Sequence, residues 1–244
     1  MIVFNAGVPR SGTVLVNAIL RQLFKVLGRE IHQTNPHAHE LPELIRDLQE
    51  TGRDASQITV VHTDSWDDET AKLLDGSRHV RAIVNFRDPR DICVSLMQLH
   101  DRGLDEMIKM VEGSYRLFDA TVAALDPLIV PYELLVADRR GHIFQIARQV
   151  DLWPSMPAID QVDRETSVAI HTDIMRKVQV GEVDHVIVRP NKNRDMHEDR
   201  DTLITDRHIQ SGVAGRWRDE LPKKDQARLA RALAPLVKRL GYPP

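Results

Sequence analysis

Three runs of this 244-residue sequence are too continuously apolar and β-branched to face water on either side: "MIVFN" at 1–5, "ITVVHT" at 58–63 and "HVRAIVNF" at 79–86. Such runs suit parallel strands buried on both faces, and parallel strands need long crossovers between them. The intervening segments supply these. Thr13 to Leu27 reads as a helix closed by a left-handed Gly28, and Leu41, Leu44, Ile45 and Leu48 keep helical spacing up to Glu50, before Gly52. A short helix is expected over Thr70 to Leu74, another from Pro89 to Leu99, and others over Met107 to Leu125, 142–150 and Asp225 to Leu240. "EIHQT" (30–34) and "LIVPY" (128–132) read as two further short strands. The expectation is an α/β chain: three layers, with a central parallel β-sheet flanked by helices, in one domain over 1–244. Residues 155–207 read as loop-rich, and Asn191 to Arg207, crowded with mixed charge, as a mobile surface segment.

Bulk composition names no partner. The formal charge is −3, so any anion site must be local, and neither nucleic acid nor an acidic membrane surface is expected. The single cysteine, Cys93, excludes an internal disulfide and suits a reducing compartment. No basic segment precedes the first apolar stretch, and no apolar run approaches the length needed to span a membrane. A soluble, cytoplasmic protein is expected, with oligomeric state left open.

The junction after the first strand carries chemistry. "GVPRSGTV" (7–14) joins a strand to a long apolar helix. A loop there, at the carboxyl end of a parallel strand, leads to a helix N-terminus whose free N–H groups and dipole favour an anion. Gly7 and Gly12 allow close approach of backbone, Ser11 and Thr13 offer hydroxyls, and Arg10 brings a permanent charge. A nucleoside-triphosphate loop would read G-x-x-x-x-G-K-[ST], but Thr13 stands where its lysine belongs. The plain alternative is a turn with a helix cap. In "FRDPRDICVSL" (86–96), Arg87 follows a buried strand and Ser95 lies about two helical turns on. They suit a second anionic group, or else an arginine paired with Asp88 or Asp91. In "HIQSGVAGRWRDEL" (208–221), Gly212 and Gly215 loosen the backbone, Trp217 anchors it, and Arg216 and Arg218 supply charge. This segment could fold over a polyanion or simply turn before the last helix.

At these three stretches, and at "VPYELLVAD" (130–138), the sequence resembles the sulfotransferase family, which uses 3′-phosphoadenosine 5′-phosphosulfate as donor. The four motifs follow the family's order between about Ile2 and Tyr242. The resemblance implies the P-loop-like sulfotransferase fold and transfer of a sulfuryl group to a hydroxyl, less readily an amine, leaving 3′,5′-ADP. It places Arg10 beside the bridging oxygen that leaves with the nucleotide. Ser11, Gly12, Thr13 and the neighbouring Val14 would hold the 5′-phosphate, and Arg87 and Ser95 the 3′-phosphate. Tyr132 would lie near adenine, with Thr166 a further candidate there. Gly212, with Arg216 or Arg218, would close over the 3′-phosphate. Three departures bear on donor affinity. Val14 removes a hydroxyl, Leu15 replaces an aromatic that often stacks on adenine, and Gln210 and Ser211 replace an arginine–lysine pair.

For the acceptor's base, the family's Lys-Thr-His becomes "HTD", so His62 falls at the lysine position and Asp64 at the histidine position. Asp64 would be the base, unless it caps the helix after "DSWDDET" and His62 is merely a buried polar residue. His37, His39 and Glu40 form a second cluster, but nothing completes a metal site there and no metal is expected. The acceptor could be a small molecule, lipid or carbohydrate. With 5% aromatic residues, a polar or aliphatic acceptor pocket suits the sequence better than a phenol pocket. The competing readings are a P-loop kinase, with Asp64 holding magnesium, and a nucleotide-binding protein without catalysis.

Overall fold

The computed structural model describes residues 1–50, 58–64, 66–74, 79–180, 182, 186–189, 196–199 and 213–244. In chain order the elements begin with β1 (Ile2–Gly7), α1 (Thr13–Val26), β2 (Ile31–Thr34), α2 (Leu41–Glu50) and β3 (Ile58–Thr63). Next come α3 (Asp68–Leu74), β4 (Val80–Phe86), α4 (Pro89–His100), α5 (Leu104–Leu125) and β5 (Leu128–Pro131). Then follow α6 (Tyr132–Ala137), α7 (Arg139–Gln149), α8 (Met156–Glu165) and α9 (Val168–Gln179). The last are β6 (Val186–Arg189), β7 (Met196–Asp199), α10 (Trp217–Glu220) and α11 (Lys223–Arg239).

β1 to β5 form one parallel sheet in the order β2-β3-β1-β4-β5. Successive strand residues point to opposite faces. Val3 joins Val60 and Ile83 against α1, α7 and α8, whereas Ile2, Phe4 and Ala6 join Val61 against α2 and Trp66. A third apolar cluster binds α4 and α5 to α11. The apolar runs are buried on both sides, as their composition requires, and the three-layer α/β expectation holds.

Parallel strands bring their carboxyl ends to one edge. Register pairs Ala6 with Thr63, Gly7 with Asn85, and Phe86 with Pro131. The loop after β1, Asp64 after β3, Arg87 after β4 and Tyr132 after β5 therefore share that edge, where such sheets bind ligands.

The reading of 155–207 as loops needs correction over its first half, where α8 and α9 stand. Ser167 caps α9 by accepting the Ile170 N–H, and Pro157 sits in the first turn of α8. Of the charged segment 191–207, only the backbone of Met196–Asp199 lies among the described residues, as a strand paired antiparallel with β6. Gln210, Ser211 and Gly212 lie outside them.

The β1–α1 turn is tight because Gly7 has no side chain. A Cβ there would meet the Thr13 Cγ2 at 2.5 Å and both the Asn85 Cβ and the Ser11 Oγ at 2.9 Å. Gly7→Ala should therefore displace the loop and lower stability in urea unfolding by about 1–3 kcal/mol, as overpacking does. An unchanged midpoint would show that the turn yields freely.

Candidate active site

The turn after β1 is pinned from beneath. The Val8 N–H and the Ser11 Oγ both donate to the Asn85 carbonyl, at 3.2 Å each, and the Ser11 N–H donates to the Val8 carbonyl at 3.0 Å. Arg10 and Gly12 take positive φ, 68° and 97°. For an arginine that backbone costs about 1–2 kcal/mol, a strain held in place by these bonds. Val16 makes the first intrahelical bond of α1, to the Gly12 carbonyl at 3.1 Å. The N–H groups before it open the helix toward the sheet edge.

Three guanidinium groups gather there. Arg10 donates through Nε to the Ser95 Oγ at 2.9 Å. Burial, then the charges of Arg87 and Arg216, lower its pKa, while Asp64 acts in the opposite sense. Arg87 donates to the Val213 carbonyl at 2.9 Å, pairs with Asp91 at 3.4 Å, and lies 4.5 Å above the Tyr132 ring. The alternative pairing with Asp88 does not form, because Asp88 caps α4 and binds Arg90 at 2.8 Å. Among the described residues, the buried Nε of Arg87 has no hydrogen-bond partner. Arg216 binds Glu220 at 2.6 Å and Gln98 at 2.7 Å. Arg218 instead lies exposed over the Trp217 ring, so Arg216 is the arginine that the C-terminal segment brings to the cluster.

Tyr132, the first residue of α6, closes the site: a Cβ on Gly12 would meet its ring at 2.7 Å. Thr166 lies buried at the end of α8, where Arg139 donates to its Oγ1 at 2.7 Å. Val14, like Ile174, packs against Met175 and Val178 of α9, and Leu15 packs into the core. The two departures in the first turn of α1 are thus packing surfaces in this structure.

The sequence offered Asp91 as a partner for Arg87, which it is, but gave no sign that Asp91 also docks the C-terminal segment. One carboxylate oxygen accepts the Gly215 N–H at 2.7 Å, and the other accepts the Trp217 N–H at 3.1 Å. The motif "RDPRD" contained the residue, but its partners lie more than a hundred positions away.

Asp64 and His62 have different surroundings. Asp64 is not a helix cap: the Asp67 Oδ1 accepts the Thr70 N–H at 2.8 Å and the Thr70 hydroxyl at 2.7 Å. Asp64 opens instead on a cavity of about 350 Å³, together with Arg10, Trp66, Leu96 and Leu117. Desolvation by the protein around it raises its pKa, and its own backbone hydrogen bond and then Arg10 oppose that rise. His62 is 6% exposed, and desolvation lowers its pKa from 6.5 to about 4. The Asn5 amide donates to its Nδ1 at 3.2 Å and to the Thr13 carbonyl at 3.1 Å. Through Asn5, His62 is linked to the first residue of α1. His37, His39 and Glu40 are exposed on a turn where Glu40 accepts the His37 N–H at 2.7 Å, and they do not line this cavity.

No protein-family model matches the sequence, and no curated protein is significantly similar to it. Solved structures are similar in shape. Retinol dehydratase, in a complex with retinol and PAP, superposes with a TM-score of 0.60 at 15% identity over 99% of this chain and 83% of that one. Mouse sulfotransferase SULT7A1, complexed with PAP, superposes with 0.57 at 15% identity over 97% and 84%. The fold is that of the sulfotransferases. On this fold, Arg10, Ser11, Gly12, Thr13, Arg87, Ser95, Tyr132 and Arg216 lie at one sheet edge.

Burial of His62 has a pH signature. Its folded pKa lies below its unfolded one, so the stability it contributes is complete above about pH 6.5 and is lost as pH falls toward 4. Between pH 7.5 and pH 5 this group alone should remove about 2 kcal/mol in urea unfolding. His62→Gln should lack that increment. The same pH dependence in both proteins would contradict the assignment.

Proposed function

We propose that this protein is a sulfotransferase that moves a sulfuryl group from 3′-phosphoadenosine 5′-phosphosulfate to a hydroxyl, within a single domain spanning 1–244. The observation that carries this reading is the position of Arg10, which belongs to the cationic cluster and also lines the cavity beside Asp64. The similar folds solved in complexes with PAP, retinol or androsterone support it by analogy.

The residues present fit the donor. The unpartnered Nε–H of Arg87, the open N-terminus of α1 and the Arg10 and Arg216 charges call for a ligand with more than one anionic group. Ser11, Gly12, Thr13 and the Val14 backbone would hold the 5′-phosphate, Arg87 and Ser95 the 3′-phosphate, and Tyr132 the adenine side. When bound, the donor supplies an activated sulfur whose bond to the bridging oxygen breaks as the acceptor oxygen bonds to it.

Arg10 neutralises charge as it develops on the bridging oxygen, from a site with little water, where such stabilisation is strong. Asp64 takes the acceptor's proton. Its pKa, raised by desolvation, makes it a better base than an ordinary aspartate. His62 and Asn5 position the loop without touching the reacting atoms.

Turnover with labelled donor and an alcohol panel tests this. Asp64→Asn should lower kcat by about a hundredfold or more and leave donor binding nearly intact. The acid limb of kcat/KM should be shifted upward from that of an ordinary aspartate, since Asp64 must be ionised. Activity should persist in EDTA because fixed arginines supply the positive charge. Strict magnesium dependence with ATP consumption would mark the protein as a kinase instead.

A further inference from the structure

The wall of the 350 Å³ cavity is chemically lopsided. Arg10 and Asp64 stand together, each acting on the other's pKa. Away from them the wall is Trp66, Leu96, Leu99, Met110 and Leu117. Ser114 also lines it, but its Oγ–H is donated within α5, to the Met110 carbonyl at 3.0 Å. His100 and Met110 are exposed and mark the rim. Trp66 contributes the largest ring of the wall, and its Nε1–H is held by the Thr121 hydroxyl.

From this we infer that the acceptor is an uncharged aliphatic alcohol with one hydroxyl, held tail-outward between α4 and α5 with its oxygen at Asp64. The inference rests on the sulfuryl-transfer reading and narrows its acceptor. A sugar would bring several hydroxyls to a wall whose polar side chains, beyond Arg10 and Asp64, are Ser114 and the rim His100, and each hydroxyl left unpaired carries a desolvation penalty. A charged acceptor would find the two available charges already opposed to each other at the reacting end. An aliphatic tail instead gains from each methylene buried. At about 30 Å³ per water-sized group, the cavity takes on the order of a dozen non-hydrogen atoms.

The test uses the full chain with a series from n-butanol to n-dodecanol, with glucose, ethanolamine and 4-butylphenol as comparators. Binding is read in the presence of 3′,5′-ADP from the fluorescence of Trp66, with Trp66→Phe as the control that removes the signal. Transfer is read separately from labelled donor. Affinity and kcat/KM should rise about fourfold per added methylene until the cavity is full, then level or fall. Leu117→Phe should move that turning point to a shorter alcohol. Chain-length-dependent binding without transfer to any alcohol would uphold the apolar site and sink the sulfuryl-transfer reading. Efficient sulfation of glucose, ethanolamine or the phenol, with no dependence on alkanol length, would overturn the acceptor assignment and leave sulfuryl transfer standing.

Discussion

Like charge held at close range is the constraint around which this structure is arranged. Arg87 and Arg216 both depress the pKa of Arg10, so the guanidinium groups repel one another where little water screens them. Each is held by a different device. Ser95 fixes Arg10, Asp91 and the Tyr132 ring fix Arg87, and Glu220 with Gln98 fixes Arg216. The carboxylates offset part of the charge, and among the described residues the buried Arg87 Nε is left without a partner. A polyanion would relieve the remaining repulsion and satisfy that donor together.

The scaffold makes the arrangement possible. Parallel pairing delivers the ends of β1, β3, β4 and β5 to one edge, so residues remote in sequence converge. Asp91 then ties the C-terminal segment to α4 through the Gly215 and Trp217 N–H groups, which brings Arg216 inward. Burial raises the pKa of Asp91, while Arg87 and these two N–H groups pull it down. Its ionised form thus depends on the contacts it organises.

Much of the fold was legible because buried parallel strands write themselves as unbroken β-branched runs: β3 occupies "ITVVHT" residue for residue, and α2 matches its apolar spacing. Helices α8 and α9 were not read, although Ser167 before Val168 and Pro157 near Met156 were usable signals. The cluster's membership was legible from motif order, whereas its pairings were not. Whether Asp64 or Asp67 caps α3 depends on where the chain turns after β3, and three nearby aspartates offer that role on paper. The neutrality of His62 follows from burial, which spacing alone does not disclose.

Calorimetric titration with 3′,5′-ADP and 5′-AMP probes the polyanion site directly. Two anionic groups should engage both the α1 N-terminus and Arg87, so 3′,5′-ADP should bind at least about tenfold more tightly than 5′-AMP, and Arg87→Ala should erase that margin. Equal affinities for the two nucleotides in the native protein would contradict a donor site built from this cluster.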